Sequence, residues 1–131
     1  MNQSLAHIAL VVNDYDEAIQ FYTEILHFTL VEDKVMSATK RWVMVVPPGS
    51  TGTTILIAQA SNEEQKSRVG NQTGGRVFLF LYTDDIEIDY TNLLDKKVKI
   101  VRELENQPHG KVLVFADLYG NLWDLIEPRK N

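Results

Sequence analysis

HIALVVNDYDEAIQFYTEIL, from His7 to Leu26, and FLFLYTDDIEIDYTNLLDKK, from Phe78 to Lys97, are two versions of one pattern. Each opens with a strand-like apolar run, turns at an Asp/Asn-rich corner, and continues with helical spacing. In the first, Asn13 or Asp14 is placed to cap a helix whose buried stripe is Ala18, Ile19, Tyr22, Ile25 and Leu26. In the second, Asp84 and Asp85 stand at the cap, and Ile86, Tyr90, Leu93 and Leu94 supply the apolar face. Further strand patterns follow each copy and end at GTTILIAQ (Gly52–Gln59) and GNLWDLIE (Gly120–Glu127). A repeat of this kind predicts two related modules.

Between those ends, FTLVEDKVM, RWVMVVP and TTILIAQ read as three strands of the first module. Segments near 98–103 and 111–117, then LWDLIE after the Tyr119-Gly120-Asn121 turn, do the same for the second. The polar stretch Ser61–Gly75 connects them, with a short helix expected around Glu63–Arg68. The expected fold is α+β: two tandem βαβββ modules, about residues 4–60 and 75–128, in a single domain spanning 1–131. Their mixed sheets are expected to curve, with helices on the outer faces and a pocket on the inner ones.

The 131-residue chain is long enough for a substantial core. Its net charge of −5 gives no basic surface for nucleic acid. The absence of cysteine excludes disulfides, thiolate chemistry and cysteine-ligated zinc. The amino terminus lacks a secretory pattern and LAHIALVV is too short to span a bilayer, so cytoplasmic residence without membrane attachment is the default expectation. No nucleotide-binding glycine fingerprint or phosphate loop is present, and the glycines read as turns.

The layout resembles the vicinal oxygen chelate superfamily, which includes glyoxalase-like, bleomycin-resistance and extradiol-dioxygenase proteins. HIALVVNDYDEAIQFYTEILHF, RWVMVVPPG and FADLYGNLWDLIEP carry the resemblance, which covers nearly the whole chain. It implies paired βαβββ modules, frequent homodimers and, in metal-dependent relatives, ligands from the first and last strand of each module. Those four positions here are His7, Leu56, Phe78 and Asp124. Leu56 and Phe78 have no donor atoms, so only His7 and Asp124 remain as metal or catalytic candidates, short of the third protein ligand a facial triad needs.

An unperturbed histidine side chain suits proton transfer near physiological pH, which makes His7 a candidate acid/base group. Burial would raise the proton affinity of Asp124, whereas pairing with His7 would favour its charged form. Trp42, Met44, Leu56, Phe78, Phe80 and Tyr82 make the expected cup apolar, and each is equally readable as core. Gln59 and Glu127 lie three residues beyond Leu56 and Asp124, an odd spacing that places them on the opposite face. His109 reads as a turn residue, and Arg41 and Arg76 as strand-edge cations that would hold an anion if they faced inward. The resulting expectation is a small-molecule binder without the usual metal centre. One alternative is a lyase, isomerase or dioxygenase with one divalent metal ion in a reduced or relocated ligand set; another is a non-catalytic dimeric interaction module.

Overall fold

In the computed structural model, which describes residues 1–130, the chain divides into two compact units, Met1–Val69 and the segment from Gly70 onward. The first unit runs β1 (His7–Val12), α1 (Tyr15–Gln20), a π-helical turn (Phe21–Ile25), β2 (Thr29–Val35), β3 (Arg41–Val46), β4 (Thr54–Gln59) and α2 (Glu63–Arg68). The second runs β5 (Val77–Tyr82), α3 (Ile86–Asp95), β6 (Ile100–Gln107), β7 (Gly110–Ala116) and β8 (Leu122–Pro128). Each unit holds one four-stranded mixed sheet, ordered β1-β4-β3-β2 and β5-β8-β7-β6. The first strand of each runs parallel to the last, and the remaining pairs are antiparallel. This is the α+β, two-module architecture expected from the repeat.

Local chemistry sets the helix starts. Asp14 Oδ2 accepts from Glu17 N at 2.8 Å, and Asp85 Oδ1 from Ile88 N at 3.2 Å, so each corner carboxylate satisfies one otherwise unpaired helical N–H. A second acceptor comes from the last strand. Gln59 Oε1 takes the Tyr15 N–H at 3.2 Å and Glu127 Oε1 takes the Ile86 N–H at 3.0 Å. The two residues therefore face the helices, as their odd spacing requires. The first helix ends in a wider turn in which Leu26 N donates to Phe21 O at 3.2 Å. His27 then adopts a left-handed φ of 62°, and the Tyr22 and Phe28 rings meet at 5.5 Å.

Strand register shows which residues share a face. Leu10, Ile57 and Val43 form one row, Ile55 and Val45 another, and all are buried on the side taken by Ala18 and Tyr22. In the second unit Leu113 pairs with Leu125 and Phe115 with Trp123, whose rings stack at 6.2 Å; Ile86 and Leu93 are buried with them. Each such aliphatic side chain contributes about 1.5–3 kcal/mol on leaving water. Leu94 departs from the expected stripe and is 49% exposed, because α3 ends one residue later and turns through Lys97 at φ 59°.

The opposite faces are less apolar and less buried. Ala9, Leu56, Met44 and Glu32 form a row across the first sheet; Phe80, Asp124, Val114 and Arg102 form the corresponding row across the second. Leu56 and Asp124 are thus equivalent by register as well as by sequence.

Candidate functional site

The first unit contains a cavity of about 600 Å³ where β3 begins and β4 ends. Trp42, Leu56 and Ala58 supply apolar wall, Ala60 leaves space beside them, and Tyr15, Lys40, Arg41 and Gln59 bring polar groups. Antiparallel pairing of Val43 with Ile57 places Trp42 next to Ala58 and Arg41 next to Gln59. The small side chain at Ala58 leaves the Trp42 flank uncovered.

Arg41 is fixed rather than free. Its Nε and Nη2 reach the two Asp33 oxygens at 3.1 and 2.7 Å, and Nη1 reaches Asp16 Oδ1 at 2.8 Å. Its guanidinium also lies 5.1 Å from the centroid of the Tyr15 ring, and its backbone N–H donates to the Tyr15 hydroxyl at 3.2 Å. The Arg41 hydrogen bonds hold Asp33 below the usual carboxylate range, and those of Asp33 and then Asp16 raise the already high pKa of Arg41. The sequence left Arg41 open as an inward anion binder; instead its charge is spent on two acids, and it braces the rim that carries Tyr15. Arg76, the other candidate, is exposed.

His7 is exposed on β1, shares a hydrogen bond between Nδ1 and Thr54 Oγ1, and meets the Trp42 ring edge-on at 5.8 Å. His7, Trp42, Met44 and Leu56 therefore belong to one sheet, with the Met44 sulfur 3.6 Å from the same Thr54 hydroxyl. Asp124, Phe78, Phe80 and Tyr82 belong to the other. Phe78 sits at a register shift in β5, half-buried, with its ring edge-on to Trp123 at 6.2 Å. Phe80 and Tyr82 are exposed, and His109 is an exposed turn residue.

The Asp124 Oδ1 atom is buried without a hydrogen-bond partner. Burial raises its pKa above the ordinary value, against the opposing fields of Arg102 and His109. A folded-state pKa above the unfolded one means that folding takes up a proton. The penalty is absent below the ordinary carboxylate pKa, grows as pH rises toward the raised value, and is complete above it. Asp124→Asn has no such penalty. The difference in urea midpoint, variant minus wild type, is therefore expected to be more positive at pH 7 than at pH 4. An equal difference at both pH values would show that the buried charge is not the cause.

The four positions at which metal-dependent relatives place ligands do not fit a metal here. Leu56 and Phe78 offer hydrocarbon where donors are needed. A separate acidic group, Asp85, Glu87 and Glu127, has carboxylate oxygens within 4.8 Å of one another. Each already has a protein partner: Asp85 and Glu127 accept N–H groups at the start of α3, and Glu87 pairs with Lys111 Nζ at 2.7 Å. These acids serve the helix start.

The family profile described as Glyoxalase/Bleomycin resistance protein/Dioxygenase superfamily matches residues 4–125. The chain belongs to this superfamily. Among similar proteins, an uncharacterized protein of Shewanella frigidimarina (strain NCIMB 400) is 56% identical over 128 residues, which cover 97% of this chain and 95% of the relative. The crystal structure of UcmS2 superposes with a TM-score of 0.85 at 26% identity, covering 97% of this chain and 99% of that one. TnmS3, an antibiotic binding protein from Streptomyces sp. CB03234, superposes with a TM-score of 0.79 at 26% identity, covering 98% of both chains. No helix among the described residues is long and apolar enough to cross a membrane.

Of the cavity residues, Trp42 and Leu56 are among the candidate ligand-binding residues named from the sequence. Tyr15 and Lys40 are not, because they reach the site through the helix corner and the β2–β3 turn. The one available signal was Ala58-Gln59-Ala60, where β4 exchanges bulky side chains for small ones.

Proposed function

We propose that this superfamily member binds a small organic molecule with a planar apolar body in the first-unit cavity, without metal chemistry. The observation that carries the reading is the cavity of about 600 Å³, walled by Trp42, Leu56 and Ala58 and edged by a few fixed polar groups. A planar ligand can lie against the Trp42 indole, while the Lys40 amine and, from the helix side at the end of β4, the Tyr15 hydroxyl and the Gln59 amide nitrogen meet polar substituents at the rim. The Arg41 clamp supports this use, since it holds Tyr15 and the β3 start in place before a ligand arrives. Likeness to an antibiotic binding protein adds support for binding of a sizeable organic molecule. Hydrocarbon at two metal-ligand positions disfavours the metal-dependent alternative.

Anthraquinone-2-sulfonate is a suitable probe, being planar, apolar and singly anionic. Titration is expected to quench tryptophan fluorescence saturably. Trp42→Ala should weaken binding at least about tenfold, as expected for loss of a central aromatic contact. Ala58→Trp should fill the cavity and weaken binding as well, and calorimetry would read both variants independently of fluorescence. Unchanged affinity in both would refute this site.

A further inference from the structure

Two acceptors on the rim of the first-unit cavity are engaged by the protein itself, and the donors of the same side chains are left over. Gln59 Oε1 accepts the Tyr15 N–H at 3.2 Å, which leaves the Gln59 amide N–H groups. The Tyr15 hydroxyl oxygen accepts the Arg41 backbone N–H at 3.2 Å, which leaves its O–H to donate. Lys40 offers donors only, and no ion pair engages it among the described residues. Its backbone is fixed by the β2–β3 turn, where Lys40 N donates to Ser37 Oγ at 3.1 Å and Lys40 O accepts from Met36 N at 2.8 Å. Among the described residues the lining contains no carboxylate. Ser61 Oγ gives its proton to Gln65 Oε1 at 2.9 Å and can accept, but a neutral hydroxyl brings no charge to hold a cation. Asp16 and Asp33, whose charge would oppose an anion, are both bound to Arg41.

We propose that the ligand of this cavity is an ionised aromatic acid. Its ring lies on Trp42, and its anionic oxygens take the Tyr15 O–H, the Gln59 amide N–H and the Lys40 ammonium. The inference rests on the first-unit cavity being the ligand site and adds the sign of the ligand's charge. An anionic oxygen can accept from all three groups, and hydrogen bonds to a charged partner are roughly twice as strong as neutral ones. A cation would meet Lys40 with no carboxylate in the lining to offset the repulsion. A neutral ligand of the same shape keeps the ring contact and gains only the weaker, uncharged hydrogen bonds.

The probes are three naphthalenes of similar shape, 2-naphthoate, 2-naphthalenemethanol and 2-naphthylmethylammonium. Each is titrated at pH 7 into the full-length isotope-labelled protein and followed by amide NMR shifts. Naphthoate is expected to bind at least about tenfold more tightly than the ammonium, with the alcohol between them. Lys40→Gln, at an exposed position, should weaken naphthoate about threefold to fivefold and leave the alcohol unchanged. Tyr15→Phe should narrow the advantage of naphthoate over the alcohol by about tenfold, the size of a lost hydrogen bond to a charged group. The inference is overturned if the alcohol or the ammonium binds as tightly as naphthoate, or if neither variant narrows the advantage. Equal binding of all three probes that Trp42→Ala abolishes would overturn the anion preference and leave the cavity reading standing. Shifts that Trp42→Ala does not reduce, or no saturable shift by tens of millimolar, would overturn both.

Discussion

Asp117→Ala is expected to cost about 3 kcal/mol or more of folding stability, read as a lower urea midpoint with an unchanged slope. Asp117 is buried at the end of β7, and its Oδ1 accepts from Tyr119 N at 2.9 Å, Gly120 N at 3.0 Å and Asn121 N at 2.9 Å. Its Oδ2 accepts from the Asn121 side-chain amide at 2.9 Å, and Asn121 is itself buried. Alanine removes the side-chain acceptor for all four donors at once. Gly120 N keeps a second acceptor in the Asp117 backbone carbonyl at 3.0 Å, which is why the loss is smaller than four full hydrogen bonds. Asp117→Asn retains the Oδ1 acceptor but turns an amide toward the Asn121 amide, so a smaller loss is expected. A midpoint for the alanine variant within experimental error of wild type would mean that the turn is held by its backbone alone.

This turn also launches β8. Asp117 N also donates to Asn121 O at 2.8 Å, closing the loop from which Leu122 enters register with Val77 and Ala116. Two residues later, past the register shift at Phe78, β8 delivers Asp124 beside Phe80. A loosened turn therefore threatens the placement of Asp124 through geometry, without touching it.

The elements were legible where one residue's chemistry decides them locally. Asp14 and Asp85 cap from within a single turn, and the alternation of a strand alone put Gln59 and Glu127 on the helix side, away from Leu56 and Asp124. The repeat made those pairs comparable, and strand register then matched them. What the sequence hid depends on partners far along the chain. Asp16 and Asp33 look like solvated acids until β2–β3 pairing and the helix corner bring both to Arg41. Phe78 loses its simple alternation at a register shift, which turns its ring toward Trp123. The exposure of Phe80 and Tyr82 was equally hidden, because a run such as FLFLY reads as buried on both faces.

Gly70→Ala is the companion test of the same turn, and its expected effect is at least as large. Gly70 adopts φ +77°, a conformation that costs an L-residue about 1–2 kcal/mol. The added Cβ would also lie 1.8 Å from the Tyr119 carbonyl oxygen and 2.7 Å from its carbon. That overlap is with backbone, so no side-chain rotation relieves it, and the Tyr119 peptide must move. The Tyr119 carbonyl shares its peptide plane with the Gly120 N–H, which Asp117 Oδ1 accepts, so movement to clear Gly70 strains the hydrogen bonds that fix the β8 entry. Gly74 supplies the control: it has a similar φ of +71°, and a Cβ added there would meet nothing within 4 Å. Gly74→Ala should therefore lose only the conformational part, whereas Gly70→Ala should lose that and the cost of displacing Tyr119, a total of about 3 kcal/mol or more. Urea midpoints of the two variants measured side by side isolate the steric contribution, and equal losses would show that the Tyr119 peptide yields freely. If both substitutions act on one turn, Gly70→Ala combined with Asp117→Ala should cost less than the sum of the separate losses, because a turn already released has little more to lose.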